Sequence, residues 1–279
     1  MSDEYLSTGF ADVDNAQDMD AYFDCLTLLD SLVYYQEYKN KSYELMQLAQ
    51  GMTVLDAGCG LGDDAFRIAK QVIPDGKVIG LDASAAMLEK ARSRKLSTQL
   101  PVQFQVGNVK ALPFADNSFS RCRIDRVLQH IPQPQEAISE LVRVLEPDGL
   151  LLAYDNDWGT FSVTSSNVAI ARTIENLWCD SFTNSRIGLY LCDHFISCGL
   201  SDIKIYPCTC IINDFETADK VYNLRKTVEK AIAGGMISAS QGNDWIEDLI
   251  HKTKTGSFMA ALTADTIIGK KQPKVDLSQ

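Results

Sequence analysis

Three glycines alternate through Asp56-Ala57-Gly58-Cys59-Gly60-Leu61-Gly62, and this loop constrains the fold more than any other segment. The residues before it, Thr53-Val54-Leu55-Asp56, read as a short buried strand. Residues 63–73 after it read as a helix, stopped by the turn signal Pro74-Asp75-Gly76. Glycine lets the backbone turn sharply and lets a ligand approach the main chain. A strand, a glycine loop and a helix in succession begin a βαβ crossover. In open α/β sheets such loops lie at the carboxyl ends of the strands, where ligands bind.

The pattern then repeats. Lys77–Asp82 is a second strand, and Ser84 is positioned to N-cap a helix that runs to about Lys95. Val102–Val106 is a third strand and residues 119–125 a fourth. Residues 134–146 form an amphipathic helix with Ala137, Ile138, Leu141, Val142 and Leu145 on one face. Pro147-Asp148-Gly149 turns the chain into a fifth strand, Leu150–Tyr154, apolar along its length as a strand covered on both faces is. Five strands separated by helices imply a parallel sheet. Upstream, residues 17–48 carry helical spacing in two stretches, the second ended by Gly51. Downstream, residues 165–179 and 186–198 read as helices and Ser201 to about Ile212 as a long strand. Residues 216–233 and 240–254 read as two helices separated by Gly234-Gly235, and Phe258–Ile268 as a last strand before a polar tail, 269–279. No repeat or flexible linker divides the chain. The expected organisation is a helical cap over residues 1–50 and a ligand-binding domain over 51–279, with helical insertions at about 160–198 and 215–255.

Lys plus Arg is 26 against 37 Asp plus Glu, a net charge of −11. Phosphate contacts need a basic surface, so the balance argues against nucleic acid as a partner, and against charge-driven docking on anionic membranes. No apolar run reaches the roughly 18 residues of a membrane span, and the acidic N-terminus has no secretory apolar core. The expected setting is cytoplasmic, the expected partner a small molecule, and the expected assembly a monomer or a homodimer. The eight cysteines form no C-x-x-C pair and are expected as free thiols. Cys192, His194, Cys198, Cys208 and Cys210 fit no standard zinc spacing and fall on apolar stretches, so buried thiols and no metal are expected.

Two further features accompany the glycine loop. Asp82 ends the second strand 20 residues after Gly62, positioned to accept hydrogen bonds from both hydroxyls of a ribose. Gly107-Asn108-Val109, after the third strand, brings a polar side chain to the same edge, where an adenine lies. Together these outline a nucleoside site. A dinucleotide fingerprint requires G-x-G-x-x-G, whereas this loop is G-x-G-x-G. Asp56, Asp63 and Asp64 surround it and disfavour a pyrophosphate, while suiting a cationic ligand that bears an ammonium and a sulfonium. A nicotinamide-dependent oxidoreductase remains the alternative enzyme, and a non-catalytic module that binds the nucleoside as a signal remains a third reading.

The stretch Val54–Gly62 resembles motif I of class I S-adenosylmethionine-dependent methyltransferases. Gly80-Leu81-Asp82-Ala83-Ser84 with Met87 resembles motif II. Gly107-Asn108-Val109-Lys110-Ala111-Leu112-Pro113-Phe114 resembles the GDAxxLPF segment of the branch that includes the ubiquinone and menaquinone biosynthesis methyltransferases. Arg126–Ile131 and Arg143–Gly149 continue the likeness, which covers about residues 50–155. The resemblance implies S-adenosyl-L-methionine as cofactor, with S-adenosyl-L-homocysteine as product. It implies an α/β, Rossmann-like seven-stranded sheet in the order 3-2-1-4-5-7-6, strand 7 antiparallel, with helical cap insertions that form the acceptor pocket. Asp56, Ala57, Gly58, Gly60 and Gly62 are then expected to shape the methionine pocket, with Asp56 near the amino group. Asp82 is expected to hold the ribose, and Ala83 and Met87 to pack near adenine. Asn108, where the family usually has Asp, is expected to face the adenine amino group through its amide oxygen, with Gly107 and Val109 beside it. Asp125 and Arg126, just after the fourth strand, are expected to line the methionine moiety. Arg121 and Arg123 are unusual on a central strand; exposure or pairing with acids is the expectation.

The expected reaction is methyl transfer to a small-molecule acceptor, most plausibly at a hydroxyl, with transfer to carbon or nitrogen as alternatives. Such an in-line displacement gains from alignment and from exclusion of water, and a general base helps a hydroxyl acceptor. His130, after the fourth strand, is the candidate base, with a packing or capping role as the alternative. Asp157 and Trp158 after the fifth strand, and Tyr34 and Tyr38 on the N-terminal cap beside Tyr35, are the candidate acceptor contacts.

Overall fold

A computed structural model of the chain describes residues 5–95 and 99–273. Its strands are β1 (Thr53–Ala57), β2 (Lys77–Asp82), β3 (Val102–Val106), β4 (Phe119–Asp125), β5 (Leu145–Asn156), β6 (Ser162–Val163), β7 (Leu200–Ile212) and β8 (Ala260–Lys271). β1 pairs in parallel with β2 and β4, β2 with β3, and β4 with β5. β8 runs antiparallel between β5 and β7, giving the order β3-β2-β1-β4-β5-β8-β7. This is the expected seven-stranded order. The two-residue β6 is additional, and pairs antiparallel with β8 at Ala260 and Ala261, beyond the end of β5.

The helices are α1 (Leu6–Gly9), α2 (Met19–Ser31), α3 (Val33–Leu45), α4 (Asp63–Val72), α5 (Ala85–Lys95), α6 (Pro134–Val144), α7 (Val168–Cys179), α8 (Ile187–Ser197), α9 (Phe215–Tyr222), α10 (Leu224–Ala233) and α11 (Ala239–Lys254). α4 buries Ala65, Ile68, Ala69 and Val72, one helical stripe, against the sheet. Asp63 and Asp64 occupy its first turn, where the helix dipole favours negative charge. α6 starts on Pro134 at its first turn and buries Ala137, Ile138, Leu141 and Val144 completely.

Several boundaries depart from expectation for identifiable reasons. α3 ends at Leu45, where Met46 caps it and Gln47 turns the chain with a φ of 51°, rather than at Gly51, which turns the chain toward β1. β5 begins at Leu145: Pro147-Asp148-Gly149 does not separate helix from strand but is absorbed into β5, with Asp148 at a φ of 64° and a register shift against β4. The helix expected over 216–233 is two helices, broken at Asn223 with a φ of 48°. Residues 5–16, unread in the sequence, form α1 and a 3₁₀ turn at Val13–Asn15. The N-terminal and C-terminal helices share one core: Tyr5, Cys25, Leu29 and Tyr35 are buried with Trp158, Trp178, Tyr222, Val228 and Trp245. No helix among the described residues is long and apolar enough to cross a membrane.

Candidate active site

At the carboxyl ends of β1, β2 and β4 a cavity of about 410 Å³ opens between sheet and cap, within the range of about 300–1,000 Å³ usual for small-molecule sites. One half is built on the glycine loop. Gly58, Gly60 and Gly62 have φ values of 72°, 50° and 78°, a region that side chains rarely tolerate. A Cβ at Gly58 would lie 2.1 Å from the Val127 side chain, so the loop can pass the start of the β4–α6 connection only as glycine. Asp82 accepts from the backbone N–H of Gly60 at 2.8 Å and of Ser84 at 2.9 Å. Burial raises its pKa, and no cation pairs with it among the described residues. Ala83, Met87, Gly107, Asn108 and Val109 line the same half. Ser84 caps α5 through Met87 N–H at 3.1 Å. The Asn108 oxygen accepts from Lys110 N–H at 2.9 Å, so one of its two lone pairs is already engaged.

The carboxylates around the loop are not the free negative field that the sequence suggests. Asp56 is fully buried behind the cavity wall; Arg123 donates to one of its oxygens at 3.0 Å, while the other has no partner. Desolvation pushes its pKa up. Asp64 is held low by Arg123 at 3.3 Å and Lys39 at 2.9 Å, together with the Tyr43 hydroxyl. Asp63 pairs with Arg94. The network runs on through Asp30, which takes Arg67 at 2.7 Å, and Asp125, which takes Arg123 and, at 3.0 Å, Arg126. Four carboxylates (Asp30, Asp56, Asp64, Asp125) thus meet four cations (Lys39, Arg67, Arg123, Arg126). Arg123 is therefore paired with acids. Arg121 instead donates to the carbonyls of Met46 and Ser120. Ala57 and Gly62, like Asp56, lie behind the lining.

The other half is a chamber of aromatic and apolar side chains. Trp158 stacks on Phe182 with centroids 4.3 Å apart and meets Trp178 edge-on at 5.5 Å. Its indole N–H donates to Gln129 at 2.8 Å. Cys25, Leu29, Tyr35 and Val221 complete that wall, and α1 and the turn after it close the cavity with Ser7, Phe10 and Val13. Gln129 is held by Asp155, which accepts from its backbone N–H at 3.2 Å and which burial pushes up to a pKa of about 8.

Of the candidate acceptor contacts only Trp158 lines the cavity. Tyr34 and Tyr38, four residues apart, share the helix face turned to the sheet. Tyr34 meets the Tyr154 hydroxyl at 3.1 Å, and Tyr38 stacks on Tyr154 at 3.9 Å and donates to Asp125. Their neighbour Tyr35 faces the cavity instead. Asp157 caps the 3₁₀ turn Trp158–Thr160 and pairs with Arg186 at 3.0 Å. His130 lines the cavity but both its nitrogens are engaged, with the Ser7 carbonyl at 3.1 Å and the Gln129 amide at 3.0 Å; burial lowers its pKa to about 4. Phe10, Trp178, Phe182 and Lys39 are lining residues that sequence reasoning did not single out, and Arg123, singled out only as unusual on a strand, lines the cavity too. The apolar residues of 5–16 were the available signal, since Tyr5, Leu6, Phe10 and Val13 stand in a segment otherwise of small and polar residues.

The family model described as a methyltransferase domain matches residues 48–187, half of the chain. An uncharacterised 37.1 kDa protein of transposon TN4556 from Streptomyces fradiae is 32% identical over 255 residues, which cover 91% of this chain and 71% of that protein. A demethylmenaquinone methyltransferase of Listeria monocytogenes is 33% identical over 134 residues, 48% of this chain; the match spans 56% of that relative's length. Among solved structures, the YcgJ protein of Bacillus subtilis superposes with a TM-score of 0.60 at 20% identity, over 85% of this chain and 99% of that one. Phosphoethanolamine N-methyltransferase 2 of Haemonchus contortus, in complex with phosphomonomethylethanolamine and S-adenosylhomocysteine, superposes with a TM-score of 0.59 at 15% identity, over 95% and 60%. These superpositions speak for the fold.

Proposed function

Because the chain belongs to the class I S-adenosylmethionine-dependent methyltransferases of small-molecule type, we propose that it transfers a methyl group to an oxygen of a small, largely apolar acceptor held under the helical cap. The observation that carries this reading is a single cavity in which the glycine-loop half continues into an aromatic chamber. The residues present fit the cofactor. The loop has a backbone that glycine follows readily and other residues rarely do, and Asp82 is a carboxylate without a counter-cation among the described residues, as a ribose diol requires. In this reading Asp82 holds the ribose, while Ala83, Met87, Gly107, Asn108 and Val109 enclose the adenine. Gly58, Gly60 and the cations of Lys39 and Arg123 take the methionine end, with Asp56 and Asp64 holding those cations in place.

When bound, S-adenosylmethionine supplies an electrophilic methyl group on a positively charged sulfur. The chain's own part is alignment and dryness: Trp158, Trp178 and Phe182 confine the acceptor, and Phe10 on the N-terminal segment excludes water. His130 is neutral at pH 7 and its second nitrogen accepts from Gln129, so it serves as a positioned wall rather than as a ready base. Apart from Asp82, the lining carboxylates of the glycine-loop half are held by arginine or lysine, so none stands free beside the aromatic chamber as a counter-ion that would bind an acceptor as an ammonium. The acidic surface and apolar chamber support a soluble metabolite as acceptor, a cytoplasmic setting, and a monomer or homodimer that acts without nucleic acid.

Calorimetry with S-adenosylhomocysteine tests the cofactor site. Binding by the wild type, weakened at least about tenfold by Asp82→Ala, is the expected result; binding of NAD in its place overturns it. Carbon-13 NMR of products made with carbon-13-methyl donor over a panel of hydroxyl, amine and carbon acceptors decides the acceptor atom. Methyl groups found only on nitrogen or carbon reject the oxygen assignment.

A further inference from the structure

Asp125 and Arg126, expected from the sequence to line the methionine moiety, both line the cavity. Asp125 is taken by Arg123 and Arg126, and Lys39 and Arg123 are assigned to the methionine end above, which leaves Arg126 without a task. It follows β4 directly and takes a φ of 55°, a left-handed conformation that costs an arginine free energy and persists only where the surroundings impose it. The constraint is visible: the Arg126 N–H donates to the Tyr154 carbonyl at 2.8 Å. The side chain reaches toward the cap. Its guanidinium lies 5.0 Å over the Tyr35 ring of α3. Arg123, two residues earlier, shares Asp125 with it and otherwise reaches Asp56 and Asp64. Beyond that shared carboxylate, Arg123 is spent on buried acids, while Arg126 extends to the Tyr35 ring of the cap.

Arg126 uses one donor within the protein, Nε to Asp125 at 3.0 Å. Its terminal nitrogens have no partner among the described residues, and its side chain, 16% exposed, lines the cavity. A guanidinium presents a planar fork suited to two oxygens of one anion. Here the fork lies in a cavity whose cap half is lined by Trp158, Trp178, Phe182, Leu29 and Val221, together with Gln129 and His130. Leaving such donors unmatched is costly, and a neutral hydrocarbon does not match them.

We propose that the acceptor is an apolar, ring-bearing organic acid whose anionic oxygens pair with the terminal nitrogens of Arg126, and that this contact selects acids over their neutral analogues. The proposal rests on the methyltransferase reading of the cavity and adds the acceptor's charge to it. The bound donor's sulfonium adds positive charge to the same cavity, which favours an anionic occupant further.

The test titrates one- and two-ring carboxylic acids (4-hydroxybenzoate, 4-hydroxycinnamate, 2-naphthoate) and their amides into the protein saturated with S-adenosylhomocysteine, read by tryptophan fluorescence and by melting temperature. At least one acid is expected to bind about tenfold or more tightly than its amide. Arg126→Met brings that acid down to the amide's affinity, and Arg126→Lys lies between, while S-adenosylhomocysteine binds both variants as it binds the wild type. Retained product binding also reports that the variants are folded. Equal binding of acids and amides, no binding of any acid, or an acid preference that survives Arg126→Met overturns the proposal. Loss of S-adenosylhomocysteine binding with Arg126→Met, in a variant that melts like the wild type, assigns Arg126 to the methionine carboxylate and overturns it too. Failure of the wild type to bind S-adenosylhomocysteine rejects the methyltransferase reading itself, so the two failures are distinguishable.

Discussion

His130 is held between Phe10 and Phe182, each with ring centroids 5.9 Å away, and donates one nitrogen's proton to a backbone carbonyl. Desolvation outweighs that hydrogen bond and lowers the pKa to about 4. The sign of the linkage follows. The unfolded chain takes up a proton near pH 6.5 and the folded chain does not, so the stability tied to this site is present above pH 6.5 and is lost as the pH falls toward 4. Between pH 7 and pH 5 the loss is about 2 kcal/mol. Melting temperatures over that interval are expected to fall less steeply for His130→Gln than for the wild type; parallel slopes would show that other groups carry the acid sensitivity. Residue by residue, the sequence was most readable where the backbone decides. The glycines and Ser84 were legible because a left-handed turn and a helix start have few solutions. Tyr34, Tyr35 and Tyr38 were not separable, because a one-residue step on a helix is about 100° and only the docked helix fixes which ring meets the cavity.

At the scale of elements, the segment before α2 has the largest effect on the site for the least sequence signal. Asp14 reaches from the 3₁₀ turn to α5, accepting from the Ser84 hydroxyl and from Ala85 N–H at 2.8 Å and Ala86 N–H at 3.2 Å. It thus satisfies orphan donors at the start of a helix 70 residues away. At the other end, Leu6 N–H donates to Asn223 at 2.9 Å, and the Tyr5 hydroxyl bonds Thr227. The strap is fastened to the sheet domain by one end and to the cap by the other. Asp14→Ala is expected to cost about 1 kcal/mol in global stability and to speed amide exchange over residues 5–16, with β1 and β4 unchanged. Unaltered exchange in the strap would mean that Asp14 does not hold it. Strand existence and order were legible from alternating apolar runs and turns. The breaks at Asn223 and Gln47 were not, because asparagine takes a positive φ more readily than most residues but also sits within helices, and glutamine takes one rarely.

Across the whole molecule, the buried ion network joins three layers. Asp30 and Lys39 belong to the cap, Asp64 and Arg67 to α4, and Asp56, Arg123 and Asp125 to the sheet. Its energetic value lies less in net attraction than in the cost of breaking it, because one missing partner strands a charge in a low-dielectric interior. Arg123→Met is expected to destabilise by about 3–5 kcal/mol in chemical denaturation. Adding Asp56→Asn to Arg123→Met is expected to recover part of that loss, since the stranded carboxylate is removed; strict additivity of the two changes would show that they do not interact. The net charge of −11 therefore says little about the site, where acids and bases are matched.

By itself the sequence determined the α/β architecture, the position of the glycine loop at the sheet edge, the carboxylate at the end of β2 and the family. Each follows from local spacing, since strand, turn and helix are dictated within about ten residues. Only the tertiary structure decided which carboxylates are free, which tyrosine faces the cavity, that residues 5–16 close it, and that Arg126 reaches toward the cap while Arg123 is spent on buried acids. These depend on contacts between residues up to 222 positions apart, where burial and charge pairing, not local propensity, set the outcome.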